Sequence, residues 1–551
     1  MNIQRVPIAV AATLLLWTAA SSAAPDDSAG EAGGQCLLHR QLTPERHLRR
    51  LSMDLRGRVP AYEDYALVEG ESSVPEAVVD AFLADDGFRL TMRRYHELLL
   101  WPNPYGVNLI TQNFTLSNFL VGSNRYYFIP STTKKRNFRG GDGSHACQPV
   151  HQDTLGWNAD GTPVCEPKGT DAIGPWCQEG YVEVLPYWQT NPTAKLRVCA
   201  FGAQEAETYD KNGQTLACNQ RLAGDEKECG CGQDLRFCLQ YAAQRDVWAA
   251  WREQFLRLVD DYTDGSRPYS EMLTTKRAYT SDRLEFHRKY LAAQTSYARA
   301  YTQPGQGDQP IAEDPDWHDV SWTEVTREAP HSGVLTLPAY SLRFQTNRGR
   351  ANRFRIAFTG QYFQPPNPET SGCESEGDDL TTRCNCRKCH SVLEPLAAYF
   401  GSIAEAGSTP LAGFAKEFNS QAACNAGDVE PNGSYCNRFY KVVRDPVDPD
   451  IRRWKLLALE WADANHPEVI SNYDAGPAGI VADAKNSGIL YRATTMNMFK
   501  FLLKREMNLS PTAADSEVDL LDEISAEFYS HDDLARLVKR IVQLPQYRRM
   551  P

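Results

Sequence analysis

The sequence predicts a mainly α-helical, multi-domain protein that carries a cysteine-rich, loop-rich insertion. Three observations favour this fold class. The 551-residue chain is longer than one ordinary domain, and its 42% hydrophobic and 23% charged residues are typical of globular proteins. Helical periodicity recurs near the start, the middle and the end of the chain. Eight cysteines crowd the stretch from Cys147 to Cys238, where no helical period is sustained.

The N-terminus is predicted to be a signal peptide over residues 1–24. Arg5 precedes an apolar stretch from Val6 to Ala20, and small residues lead up to Ala24. No later stretch approaches the roughly 20 consecutive apolar residues that a membrane span needs. We therefore expect a bacterial periplasmic, extracellular or cell-surface protein without a transmembrane anchor after signal cleavage.

Residues 25–42 are predicted to form a linker and residues 43–101 an N-terminal helical domain. Thr43 and Pro44 have the residue types preferred at the N-cap and first position of a helix. Leucines follow at helical spacing: Leu48, Leu51 and Leu55. Further helices are expected at residues 75–83 and 88–99.

Residues 102–240 are predicted to be a disulfide-stapled segment rich in Gly, Asn, Pro and Cys. Its eight cysteines could close as four bridges, whose pairing cannot be deduced from the spacing. Cys229 and Cys231 could instead bind zinc, but no histidines cluster nearby and exported chains meet an oxidising compartment. Disulfides are therefore favoured.

Two further helical domains are predicted, over residues 241–370 and 488–551. In the first, large side chains that we expect to pack in the core share one helix face: Trp248, Trp251, Phe255, Leu256 and Val259. In the second, we expect Ser530 to cap the last helix, with Asp533 at the capping-box position. The buried stripe of that helix follows: Leu534, Leu537, Val538, Ile541 and Val542.

The motif that carries chemistry is Cys386-Arg387-Lys388-Cys389-His390, within residues 371–487. Cys-x-x-Cys-His is the attachment pattern of c-type haem, and no strand–helix alternation surrounds it as a thioredoxin-like site would require. It predicts a cytochrome c-like region with one covalent haem c, bound by both thiols, and with His390 as the proximal iron ligand. The alternative is a disulfide between Cys386 and Cys389. Four other cysteines could form two bridges here: Cys373, Cys384, Cys424 and Cys436.

The distal iron ligand decides between two kinds of haem chemistry. A methionine or histidine there is typical of an electron carrier, whereas an open position allows ligand binding or catalysis. Met498, C-terminal to the motif, is the first candidate, with Met496, Met507 and His466 as alternatives.

The net charge of −12 disfavours nucleic acid as a partner, because it leaves no surplus of cations for phosphate contacts. We expect a redox partner protein or a small-molecule electron donor or acceptor. The chain has no nucleophile elbow, zinc-protease motif or phosphate-binding loop, so the sequence does not decide whether it is an enzyme.

The haem motif and several other segments resemble the planctomycete-type c-type cytochromes, a family of exported haem proteins with accessory helical domains of unknown function. The similar segments are residues 49–60, 267–274, 331–336, 347–366, 386–395 and 499–549. The resemblance implies haem attachment at Cys386, Cys389 and His390, but no particular reaction.

Three hypotheses of function follow from these observations. The leading one is electron transfer by an exported monohaem cytochrome. The second is a haem-dependent oxidoreductase or peroxidase with an open distal site. The third is a surface binding module in which the cysteine-rich segment recognises a glycan or a protein and the haem is accessory.

Overall fold

A computed structural model describes residues 41–549 with gaps. The gaps are residues 106, 110–113, 130–146, 172–173, 221–222, 224–225, 295–312, 329, 364–388, 391, 394–395, 398, 401–402, 404–439, 445–451 and 457–474. The predicted signal peptide and the linker up to residue 40 lie outside the described residues, as does the cysteine set Cys373, Cys384, Cys424 and Cys436.

The prediction of a mainly α fold is wrong. The structure is mixed, with 45% helix, 14% strand and several sheets. The error lies chiefly in residues 102–240, predicted as loops, whose described residues form eight short strands. Each of these strands has only four to six residues, so none is long enough to show a sustained alternation of apolar and polar residues.

Helices dominate the chain on either side of that segment. The α-helices are α1 (Pro44–Leu51), α2 (Tyr62–Ala66), α3 (Glu76–Leu83), α4 (Asp86–Leu100), α5 (Gln152–Leu155), α6 (Tyr241–Asp260), α7 (Asp282–Phe286), α8 (Pro338–Ser341), α9 (Asn347–Thr359), α10 (Pro477–Asn486), α11 (Ile489–Leu503), α12 (Val518–His531) and α13 (Leu534–Val542). Short 3₁₀ segments are Gln233–Leu235, Tyr269–Leu273, Ala292–Gln294 and Gly333–Thr336, and π segments are Ser52–Arg56 and His287–Leu291.

Within the described part of the chain, the strands form one four-stranded sheet and four two-stranded ones. They are β1 (Ser117–Val121), β2 (Asn124–Phe128), β3 (Glu166–Asp171), β4 (Gly174–Gln178), β5 (Tyr181–Val184), β6 (Leu196–Cys199), β7 (Thr208–Lys211), β8 (Gln214–Ala217), β9 (Arg277–Thr280), β10 (Thr323–Thr326), β11 (Tyr440–Arg444) and β12 (Arg452–Leu456). The larger sheet has the order β1-β2-β6-β5, with β2 and β6 parallel and the outer pairs antiparallel. The others are antiparallel pairs in sequence order.

The cysteine-rich segment is stapled by four disulfides, as predicted. The pairs are Cys147–Cys199, Cys165–Cys177, Cys218–Cys229 and Cys231–Cys238. Three of them join cysteines no more than twelve residues apart, whereas the first closes a separation of 52 residues. Cys229 and Cys231, which are separated by one residue, belong to different bridges. Because both sulfur atoms are in disulfides, the alternative of a zinc site at these residues does not hold. Bridges of this kind form in oxidising compartments.

The predicted helices at the two ends of the chain are confirmed, and the residues that flank them contact each other. Thr43 caps α1, since its hydroxyl accepts a hydrogen bond from the backbone N–H of Arg46 at 3.4 Å. The backbone N–H of Leu42 donates to the carbonyl of Arg548 at 2.8 Å. One hydrophobic core extends from Leu48 in α1 through α6 to the end of the chain, and the five predicted stripe residues of α13 are buried in it.

The predicted cap of the last helix is wrong. Ser530 lies inside α12, where its hydroxyl donates to the carbonyl of Glu527 at 2.7 Å. Asp533 is the N-cap instead, and its carboxylate accepts from the backbone N–H of Arg536 at 3.0 Å. Asp532 turns the chain between the two helices in a left-handed conformation with φ of 52°.

Among the described residues, no helix combines the length and the apolar character that crossing a bilayer requires.

Several buried histidines are predicted to make the fold sensitive to acid. Burial lowers the pKa of four of them, to about 4 for His47 and His96 and to about 3 for His287 and His331. Between about pH 4 and their ordinary pKa of 6.5, the unfolded chain binds protons that the folded chain does not. The free energy of unfolding should therefore fall as the pH is lowered from 6.5 to 4.

His287→Phe should reduce this pH dependence by up to about 1.4 kcal/mol per pH unit. The His287 ring lies edge-on to Trp251 with centroids 5.3 Å apart, a contact that phenylalanine can keep. Denaturant unfolding at several pH values measures the slope, with the exposed His318→Phe as control. If the free energy of unfolding of His287→Phe depended on pH as in the wild type, His287 would not contribute to the acid sensitivity.

Candidate functional site

The described part of the haem motif begins a helical segment. Cys389 and His390 are both helical and half-buried, whereas Cys386 lies outside the described residues. Cys389 is the one cysteine in the described part of the chain that is not in a disulfide. A thiol so placed is available for another covalent bond.

The segment after the motif is anchored to α9 through Arg350. This side chain is fully buried, and its guanidinium donates to the carbonyl oxygens of Ser341, Phe344 and Ile403 at 3.1, 3.0 and 3.2 Å. It also donates to Oδ1 of Asn347 at 2.8 Å. Because Ile403 follows the motif in sequence, this arginine holds the motif's chain against α9.

A second anchor joins the same segment to α10. The Tyr399 hydroxyl donates to the carboxylate of Asp483, and the Tyr399 ring is 1% exposed. The neighbouring Leu396, Ala397 and Phe400 are buried in the main core. The described residues 396–400 that follow the haem motif are therefore largely apolar and buried.

Arg355 lies beside the motif with part of its guanidinium unpaired. It is 9% exposed, its Nε donates to Oε1 of Gln361 at 3.2 Å, and its Cζ lies 3.9 Å from the ring centre of Phe363. Nη1 is buried without a hydrogen-bond partner among the described residues. Burial lowers the pKa of Arg355, and the charge that the nearby Cys389 thiol can carry opposes that lowering.

An arginine remains charged in proteins even when it is buried. A buried cation whose donors are not all satisfied is costly, so such a group calls for an anion or acceptor. The sequence did not single out Arg355, because no spacing distinguishes it from the other arginines of the segment from Asn347 to Thr359.

The candidate distal methionines occupy different sides of α11. Met498 is fully buried in the main core. Met496 is half-buried and faces the end of α9, where a Cβ added to Gly360 would lie 2.9 Å from its Cε. Two residues correspond to about 200° around a helix, so both side chains cannot point to one site. The Thr494 hydroxyl, one turn before Met498, is buried without a hydrogen-bond partner in the described structure.

For the other two candidate distal ligands, Met507 and His466, the structure gives fewer contacts. Met507 is 8% exposed and follows the end of α11. His466 lies outside the described residues.

A polar cluster that the sequence did not predict joins three elements. Asp532 accepts hydrogen bonds from the backbone N–H of Ser270 at 3.0 Å and from its hydroxyl at 2.5 Å. Lys485 of α10 donates to the Ser270 hydroxyl at 2.9 Å and to Asp532 at 3.3 Å. The cluster ties the 3₁₀ segment Tyr269–Leu273 to α10 and α12.

Comparisons with known proteins identify no relatives: no family model matches the chain, and no significant match is found among curated proteins or solved structures.

Proposed function

We propose that this protein is an exported monohaem c-type cytochrome that transfers electrons. The observation that carries the proposal is the half-buried free thiol of Cys389, next to His390, in a chain whose other described cysteines are all bridged. Cys386 and Cys389 would hold haem c through thioether bonds, and His390 would be the proximal iron ligand.

The residues around the motif fit such a group. Haem carries two propionates, and the incompletely satisfied guanidinium of Arg355 can neutralise one of them by a charge-assisted hydrogen bond. The buried residues of 396–400 can cover the apolar face of the ring. When bound, the haem supplies reversible one-electron reduction of its iron.

The chain's own residues would tune that reduction. Burial raises the energetic cost of a charge change at the iron, and hydrogen bonds to the ligating histidine modify its basicity. We propose Met498 as the distal ligand, since a thioether in that position suits an electron carrier, and Met496 is the alternative. The partner would be a redox protein or a small-molecule electron donor or acceptor.

A location in the periplasm or at the cell surface fits the four disulfides, because the oxidising conditions that maintain them prevail there.

The ferric visible spectrum, recorded before and after adding cyanide, tests the distal ligand. We expect a low-spin spectrum that resists cyanide in the wild type, and a high-spin, cyanide-sensitive spectrum in Met498→Leu. Met496→Leu is the matched control and should stay low-spin. Leucine nearly conserves the volume of methionine, so the core should tolerate both changes.

Two outcomes would change the proposal. If Met496→Leu alone opened the iron, Met496 would be the ligand. If the wild-type spectrum were high-spin and shifted at once with cyanide, the electron-transfer proposal would give way to a haem enzyme with an open distal site.

A further inference from the structure

A surface pocket of about 270 Å³ lies where α4 ends, a volume just below the usual range of ligand pockets. Its lining combines two aromatic rings with charged and amide side chains: Glu97, Trp101, Asn103, Tyr105, Arg252 and Arg343. The four charged and amide side chains outnumber the two rings, so the lining suits a polar ligand better than an apolar one.

Trp101 has a backbone conformation that bulky side chains rarely adopt. It ends α4 with φ of 50° and ψ of 52°, in the left-handed region where glycine is usual, and its N–H donates to the carbonyl of Glu97 at 2.9 Å. Such a conformation costs on the order of 1–3 kcal/mol and is concentrated at binding sites. Despite this cost, the indole is 48% exposed, so core packing does not account for the tryptophan.

A neighbouring side chain packs against each of the two aromatic rings. The Arg353 guanidinium lies 4.0 Å from the ring centre of Trp101, and its Nη2 donates to the carbonyl oxygen of Leu98 at 3.1 Å. The Tyr105 ring is 47% exposed and packs edge-on against Trp248 at 5.3 Å. Both rings are therefore fixed while much of their surface faces solvent, which lowers the entropic cost of binding a ligand.

The side chains that line the pocket carry a net positive charge, and some of them can still form a hydrogen bond or an ion pair with a ligand. Glu97 forms an ion pair with Arg252. Arg343 is exposed, lies 5.9 Å from the ring centre of Trp101, and has no ion-pair partner among the described residues. Oδ1 of Asn103 accepts from the backbone N–H of Tyr105 at 3.0 Å, which leaves the amide NH₂ available as a donor.

We propose that this pocket binds a sugar ring that carries an anionic group. The apolar C–H face of a pyranose would stack on Trp101 and Tyr105, its hydroxyls would reach Asn103 and Glu97, and its anionic substituent would pair with Arg343. A carboxylate, as in a uronic acid, and a sulfate ester share this chemistry. The inference is independent of the haem, because none of the pocket residues belongs to the haem motif.

Isothermal titration calorimetry on the full-length protein tests the proposal, with three probes of equal length: oligogalacturonate, sulfated oligogalactose and neutral oligogalactose. We expect the wild type to bind at least one anionic probe at least tenfold more tightly than the neutral probe. Comparing the affinities for the two anionic probes distinguishes uronic acids from sulfated sugars as the ligand class. Failure of both to bind, or equal affinity for the neutral probe, would overturn the proposal.

Three variants test whether binding depends on the side chains of this pocket. Trp101→Gly removes the aromatic platform but suits the left-handed backbone, so it should fold and lose at least tenfold in affinity. Arg343→Gln should lose the preference for anionic probes. Trp157→Gly, which removes a similarly exposed tryptophan elsewhere (43% exposed), is the control and should bind like the wild type. Unchanged binding by Trp101→Gly, with its folding checked by circular dichroism, would also overturn the proposal.

Discussion

Replacing both Cys386 and Cys389 with alanine is expected to abolish covalent haem attachment completely. In the proposed site, two thioether bonds would be the only covalent links between the motif and the haem. A haem held by His390 alone would dissociate on denaturation. The measurement uses protein produced with a c-type maturation system. Haem staining on a denaturing gel, together with the visible spectrum after acid–acetone extraction, reports the covalent fraction.

The matched control removes another cysteine pair. Cys165→Ala with Cys177→Ala breaks one disulfide of the cysteine-rich segment and should leave haem attachment intact. The single change Cys389→Ala should leave at most one thioether bond and a lower yield of haem. If wild-type protein carried no covalent haem under these conditions, Cys386 and Cys389 would more simply form the disulfide that the sequence also allows.

Arg350→Met is expected to lower the free energy of unfolding by about 3–5 kcal/mol, because it leaves several buried acceptors without their donor, at about 1–3 kcal/mol each. The arginine is fully buried, and its loss would leave three buried carbonyl oxygens and the Asn347 amide oxygen without this donor. Methionine retains much of the volume, so the loss of hydrogen bonds dominates over a cavity. Denaturant unfolding followed by circular dichroism measures the change.

Arg343→Met provides the comparison for this stability measurement. Arg343 is exposed and has no ion pair among the described residues, so its replacement should change stability by less than about 0.5 kcal/mol. Equal effects of the two variants would show that Arg350 does not hold the segment after the haem motif against α9.

Local patterns predicted the helices well and the strands poorly. The leucine spacing in α1 and the aromatic face of α6 are short-range signals, because helical hydrogen bonds join residues four apart. One strand signal was overlooked: Asn212 and Gly213 both have positive φ and join β7 to β8, and Asn-Gly is the strongest short hairpin signal. The β9–β10 pair joins residues more than forty apart in sequence, which no local pattern reveals.

Of the proposed haem site, only the covalent part could be predicted from the sequence. The Cys-x-x-Cys-His motif predicts Cys386, Cys389 and His390 as the attachment residues, because c-type attachment depends on residues close together in sequence. Arg355 was not predicted, since an arginine in a helix is ordinarily solvated and only tertiary burial leaves its guanidinium beside Cys389. The Trp101 pocket was missed for a similar reason, as it joins side chains from three distant segments.

By itself, the sequence determined what depends on neighbouring residues: the helical segments, the cysteine supply for four bridges and the proposed haem attachment point. Tertiary structure decided which cysteines pair, which short segments become strands and which charges are buried. The physical reason is that these outcomes depend on contacts between residues far apart in the chain. Their free energy comes from burial and desolvation in the assembled core, which local spacing does not encode.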